Sequence, residues 1–269
     1  MKQWPTSASY STKLPVAMSM TNQPKSLGEQ NYGQFAERYA AAVETKAHNA
    51  YYERPATVSL LPNVQGLRVL DAGCGPGIYT EWLLKRGAQV VACDVTPQML
   101  EITLRRVGNR AEIHRADLTQ PLTFAADGTF DLVLCPLVLD YIAEWQPVFT
   151  EFFRVLRSSG LFVFSCGHPT GDFLYTQHKQ LTPGNYFDVE TFTTQWRGFG
   201  EPHPVVTSYR RPLQAMLNPL AKTGFILDEI LEPRPIEQFQ QADPEDYDKL
   251  MREPGFLCVR ARKPSSGMK

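Results

Sequence analysis

The sequence predicts an α/β fold: a doubly wound, mostly parallel sheet of seven strands with helices on both faces. Three observations carry that expectation. From about residue 68 the hydrophobic period alternates between strand-like and helix-like. Runs such as Leu132-Val133-Leu134 and Leu161-Phe162-Val163-Phe164 are apolar throughout, as strands covered on both faces must be. A turn with three glycines joins the first strand to the first helix.

Residues 1–27 are rich in Ser, Thr, Pro and Gln without periodicity, the composition of a disordered tail. Tyr32, Phe35, Ala36, Tyr39, Ala40 and Val43 then recur at helical spacing. They predict a helix over about 32–50 within a helical cover at 28–64. The alternation follows: strand 68–71, helix 78–86, strand 90–94, helix 97–107, strand 111–115, strand 130–135, helix 147–156 and strand 161–166. For 45 residues after Cys166 the rhythm breaks into prolines, glycines, aromatics and three histidines, and a segment of this length inside a compact domain reads as a lid or binding insertion. Its aromatics are too many for a solvated loop and call for a partner surface, which the stripe of Tyr32, Phe35 and Tyr39 supplies. The two segments are expected to form a mobile roof over the site. A helix over 212–223 stopped by Gly224, a strand over 225–231 and a last strand over 256–261 complete a domain spanning 65–269, with the insertion at about 167–211.

Composition narrows the function. Of 269 residues 43% are hydrophobic and 20% charged, and no apolar stretch reaches the ~18–20 residues of a spanning helix, so no membrane role is expected. A net charge of -1 lacks the basic field that phosphate backbones require, so no nucleic-acid partner is expected either. Five cysteines stand singly, without zinc spacing, and the N-terminus has no secretory pattern. Reduced thiols in a cytoplasmic protein, with no metal, is the expectation.

The chemistry is concentrated in Val69-Leu70-Asp71-Ala72-Gly73-Cys74-Gly75-Pro76-Gly77. Glycine serves where backbone turns with positive φ or approaches a ligand closely, and the helix beyond offers free N–H groups. Asp94 ends the second strand about 20 residues later, where a carboxylate accepts hydrogen bonds from both ribose hydroxyls. An adenine nucleoside is the expected ligand. A dinucleotide oxidoreductase would need Gly-x-Gly-x-x-Gly, and Ile78 stands where its third glycine belongs.

The Gly-x-Gly-x-Gly spacing resembles the first motif of class I S-adenosylmethionine-dependent methyltransferases, Rossmann-like enzymes, and in particular the small-molecule branch related to ubiquinone/menaquinone biosynthesis. Ala116-Asp117-Leu118, Phe130-Asp131-Leu132-Val133 followed by Cys135, and Arg154-Val155-Leu156 are similar to that family's later motifs. Two serines, Ser158-Ser159, replace its commoner proline and glycine, and Asp140 stands where histidine is frequent. The resemblance implies an antiparallel last strand and S-adenosyl-L-methionine as cofactor. It implies that Asp71, Gly73, Gly75 and Gly77 shape the loop around the methionine moiety and that Asp94, with Val95, holds the ribose. Met99 packs on adenine, Asp117 with Leu118 holds its amino group, and Cys135 contributes backbone.

Several residues carry two readings. Arg54 pairs with the methionine carboxylate or is a helix-packing cation, and Asp117 reads adenine or caps a turn. His168, directly after the fifth strand, is a base or acceptor anchor, or a structural histidine. Tyr32 and Asp140, with Tyr141, face the acceptor or merely pack and solvate, and Arg210-Arg211 meet an anionic substrate or face water. His178 and His203 read as ordinary loop residues. The expected activity is methyl transfer to an O, N or C atom of a small-molecule acceptor by a monomer or homodimer. A noncatalytic or non-methyltransferase role on the same fold stays open, as does an NAD-dependent oxidoreductase.

Overall fold

The computed structural model describes residues 25–265 and Gly267, so nearly all of the expected tail lies outside the described residues. The strands are β1 (Arg68–Ala72), β2 (Gln89–Asp94), β3 (Glu112–Arg115), β4 (Phe130–Pro136), β5 (Leu156–Gly167), β6 (Glu190–Gln195), β7 (Val205–Arg210), β8 (Ile226–Leu231) and β9 (Phe256–Arg262). Seven of them form one sheet in the order β3-β2-β1-β4-β5-β9-β8, while β6 and β7 pair as a separate hairpin. β9 runs antiparallel to both its neighbours. The strand order reverses between β1 and β4, and the crevice beyond their C-terminal ends is where such sheets bind ligands.

The helices are α1 (Leu27–Tyr32), α2 (Ala36–Val43), α3 (Arg54–Ser59), α4 (Ile78–Lys85), α5 (Pro97–Val107), α6 (Trp145–Val155), α7 (Pro169–His178), α8 (Leu213–Thr223), α9 (Glu237–Ala242) and α10 (Pro244–Leu250). Alternate strand residues serve opposite faces of the sheet. Leu70, Val91, Val133 and Phe162 meet Phe149 and Phe152 of α6, whereas Val69, Val90, Leu132 and Leu134 meet Leu60 and Leu83 beside α3 and α4. All of these side chains are buried, and each contributes about 1.5–3 kcal/mol. This two-sided core explains the uninterrupted apolar runs.

Three elements depart from expectation. The helix expected over 32–50 is broken: Gly33 caps α1, a turn intervenes, and α2 ends at Val43 before a π-helical stretch, Asn49–Glu53, runs into α3. The break folds the aromatic stripe back on itself, bringing Tyr32, Phe35 and Tyr39 within 4.9–6.0 Å of one another by ring centroid. The turn expected at Ser158-Ser159-Gly160 lies within β5 as an irregularity, with Ser159 at φ 63. Finally, the insertion holds a helix, α7, and the β6–β7 hairpin, both assembled by contacts that local periodicity does not encode.

Candidate active site

The glycine turn leaves β1 with Gly73, Gly75 and Gly77 at φ 77, 52 and 80, so all three lie in the left-handed region. A Cβ on Gly73 would overlap the Val138 side chain, and one on Gly77 would stand 3.0 Å from Thr103. At Gly75 there is open space instead, which leaves the backbone bare. The Gly73 and Cys74 N–H groups both donate to the Cys93 carbonyl, at 2.8 and 2.9 Å, fastening the turn to β2. Asp71 supports the turn from beneath. It is fully buried, accepts a hydrogen bond from the Thr80 hydroxyl at 2.5 Å, and burial pushes its carboxyl up to about 7.

Asp94 accepts from the Gly75 N–H at 3.0 Å and from the Thr96 N–H at 2.8 Å, and burial raises its carboxyl above the usual range. It stands between two parts of one cleft. The first, about 100 Å³, is lined by Arg54, Gly73, Gly75, Met99 and Leu137 among others. The second, about 70 Å³, is lined by Val95, Asp117 and Leu118, and Asp94, Val138 and Tyr141 border both. Two guanidinium nitrogens of Arg54 donate to the Val43 and Glu44 carbonyls, while its Nε is buried without a partner. Asp117 accepts from the Thr119 N–H and hydroxyl at 2.9 and 2.8 Å, so it caps a turn and borders the cleft at once.

Cys135 stops one residue short of the cleft wall. It is fully buried and its backbone pairs in the ladder with Phe164, so the wall passes to Pro136, Leu137 and Val138 just beyond it. Leu137 sits at φ 54, a costly conformation for a branched side chain, and its N–H is held by the Ser165 carbonyl and hydroxyl at 2.9 and 3.1 Å. Sequence reasoning also missed Glu53. It is 2% exposed, borders the cleft beside Arg54, and accepts from Thr57 at 2.7 Å, Tyr79 at 3.0 Å and Ser165 at 2.6 Å. Those partners lie up to 112 residues away, which leaves no local signal.

A cavity of about 340 Å³ adjoins the cleft, with Tyr32, Tyr39, Asn49, Leu137 and Tyr141 common to both. Asp140 borders it, and Oδ2 of Asp140 accepts from the Gly167 N–H at 3.0 Å. The roof segments meet above. Phe35, Phe199 and Val206 form a buried cluster with Tyr32, Tyr39 and Trp196 against it, and the Asn31 amide exchanges two hydrogen bonds with the Thr207 backbone. Not every insertion aromatic joins in: Phe187 is 70% exposed.

His168 lies apart from the site, and both its ring nitrogens are taken. Nδ1 accepts from the Thr170 and Gly171 N–H groups at 3.2 and 3.3 Å, capping α7, and Nε2 stands 2.7 Å from Glu232. It lines neither the cleft nor the cavity. Arg210 and Arg211, read as a pair facing substrate or water, are buried. Arg210 pairs with Glu190, and Arg211 donates to the Ile142 and Ala143 carbonyls. His178 ends α7, and His203 pairs on the surface with Glu201 at 2.8 Å. His48, Asp243 and Asp246 approach within 4.8 Å of one another, but Asp243 caps α10 and His48 pairs with Asp246 at 3.4 Å.

A glycine turn and a carboxylate at the switch point of a doubly wound sheet define a Rossmann-like nucleoside-cofactor protein. The residues fit the larger cofactor that the sequence resemblance implies: bare backbone at Gly75, an unpartnered buried Arg54 Nε–H for a carboxylate, and Asp94 at the junction. Residues 70–164 match the family model described as a methyltransferase domain. The chain is 26% identical to an uncharacterized protein of Haemophilus influenzae over 80% of its length and 88% of that protein's. It is 30% identical to the ubiquinone biosynthesis O-methyltransferase of Xanthomonas oryzae pv. oryzae over 38% of its own length, spanning 44% of that relative. An S-adenosylmethionine-dependent methyltransferase structure from Mesorhizobium loti superposes with a TM-score of 0.63 at 26% identity, covering 82% of this chain and all of that one. Residues 70–164 thus form a methyltransferase domain on the fold of S-adenosylmethionine-dependent methyltransferases, and the cofactor is S-adenosyl-L-methionine. Among the described residues no helix is long and apolar enough to cross a membrane.

Proposed function

We propose that the protein methylates an O, N or C atom of a small-molecule acceptor held in the 340 Å³ cavity. One observation carries this reading: the cavity adjoins the cofactor cleft across Tyr32, Tyr39, Leu137 and Tyr141, beneath a roof of the chain's own helices and hairpin. The bound cofactor supplies an electrophilic methyl group on a sulfonium. Arg54 holds the methionine carboxylate, Asp94 the ribose and Asp117 the adenine amino group, while Met99, 2% exposed, packs against the base. The roof keeps water from the acceptor atom and fixes its line of approach. Burial raises the Tyr32 phenol well above its usual range, so it stays neutral and positions rather than accepts protons. Where the acceptor must lose a proton, it leaves through Asp140, one of two carboxylates bordering the cavity. A cytoplasmic monomer or homodimer belongs to the same reading.

The test follows a labelled methyl group from S-adenosylmethionine into a metabolite extract, separated from its RNA and protein. Label in the small-molecule fraction, with S-adenosylhomocysteine released in equal amount, is expected. Label confined to RNA or protein, or no S-adenosylhomocysteine at all, overturns it.

A further inference from the structure

The cavity floor carries two carboxylates that the cofactor does not use. Asp140, in the turn after β4, and Asp172, in α7, both border it, and both stand against Gly167 at the end of β5. Gly167 is glycine for that reason: a Cβ there would overlap the Asp172 carboxylate. Oδ1 of Asp140 is buried with no hydrogen-bond partner.

The surrounding charges compensate this pair only in part. Arg210, nearest to Asp172, is already paired with Glu190. Arg211, nearest to Asp140, spends its terminal nitrogens on two carbonyls. Three carboxylates thus share two guanidiniums, and among the described residues neither Asp140 nor Asp172 forms an ion pair with a basic side chain. Burial pushes both carboxyls up, and the neighbouring Asp140 charge raises Asp172 further. The roof side is aromatic, with Tyr39, Phe192, Trp196 and Phe199 lining the cavity, while Phe256 flanks Gly167 on the sheet side. Its basic side chains are Lys46, which lies 4.8 Å over the Phe199 ring, Arg197, which is exposed, and His48, whose pKa burial lowers and which pairs with Asp246.

A buried, orphaned carboxylate oxygen beside a second carboxylate, faced by aromatic rings, is a receptor for an organic cation. We propose that the acceptor carries a positively charged nitrogen, seated between Asp140 and Asp172 on the sheet side and the aromatic rings of the roof. The proposal rests on the small-molecule methyl-transfer reading and narrows its substrate class. It also answers an electrostatic need, since a cationic acceptor and a sulfonium repel one another in a site poor in water, and the extra negative charge offsets that repulsion.

Binding of 2-phenylethylammonium, 2-phenylethanol and 3-phenylpropionate to the S-adenosylhomocysteine complex, measured by calorimetry, tests it. The ammonium should bind at least about tenfold more tightly than the alcohol, and the carboxylate least of all. Asp140→Asn and Asp172→Asn should each abolish that preference while keeping S-adenosylhomocysteine affinity, which also shows that they fold. No ammonium preference, no ammonium binding, or a preference that survives in both variants overturns the proposal. Loss of S-adenosylhomocysteine binding by the unmodified protein would instead sink the methyltransferase reading itself.

Discussion

The glycine-turn cleft and the adjoining 340 Å³ cavity share a tyrosine wall but are built in opposite ways. The cleft is largely backbone: a positive-φ glycine turn fastened to β2 and carboxylates at strand ends, most of it within residues 71–118. The cavity is side chain, collected from α1 and α2, the turn after β4, α7 and the β6–β7 hairpin. Backbone geometry leaves little room for substitution, whereas a surface of long side chains readjusts. The two regions should therefore differ in how sharply they respond to change.

The largest effect is expected at Gly73, where alanine meets both an unfavourable φ and the Val138 side chain. Gly73→Ala should destabilise by about 4 kcal/mol in urea denaturation and remove S-adenosylhomocysteine binding. Wild-type affinity in this variant would break the contrast at its strongest point.

Asp71 sharpens it through pH. Its carboxyl is raised from 3.8 to about 7, so the folded protein keeps a proton that the unfolded chain has released. This group's contribution is full below the unfolded value and is lost as pH rises through about 7. Asp71→Asn should remove that part of the slope, gaining on the order of 3 kcal/mol relative to the parent at about pH 8, read from denaturation midpoints across pH. Glu53, Asp94 and Asp140 shift in the same direction, so some slope persists in the variant. An unchanged slope would mean that Asp71 is ionised beneath the turn.

Asp94→Ala removes the carboxylate that braces the Gly75 N–H and that we propose meets the ribose, and should weaken S-adenosylhomocysteine binding by about 2 kcal/mol in calorimetry. On the acceptor side, Tyr32→Phe deletes the 2.7 Å hydrogen bond to Tyr141. Backbone hydrogen exchange in α1, α2 and the β6–β7 hairpin should then quicken by the equivalent of about 1 kcal/mol, and S-adenosylhomocysteine should slow it in the parent protein. Exchange indifferent to both would show a roof that does not open. The smallest effect is expected at Gly198, where an added Cβ meets only the far end of the flexible Lys46 side chain. Gly198→Ala should change stability by no more than about 0.5 kcal/mol, and a large loss there would erase the distinction between the two regions.

By itself the sequence determined the sheet and the cofactor turn, because both depend on neighbours in the chain. Strand runs declare themselves by period, and Gly73, Gly75 and Gly77 by the φ that only glycine adopts cheaply. Asp94 was legible for the same reason, standing at a fixed distance along the β-turn-α-β unit. Tertiary structure alone decided the rest. His168 looked like a base from its place after β5, but whether its nitrogens were free depended on Glu232, 64 residues away. Glu53 drew its partners from α4 and β5, and Arg210 and Arg211 were buried by a fold in which the hairpin returns against the turn after β4. Hydrogen bonding and burial of side chains are set by what packs across from them, and local periodicity carries no record of that.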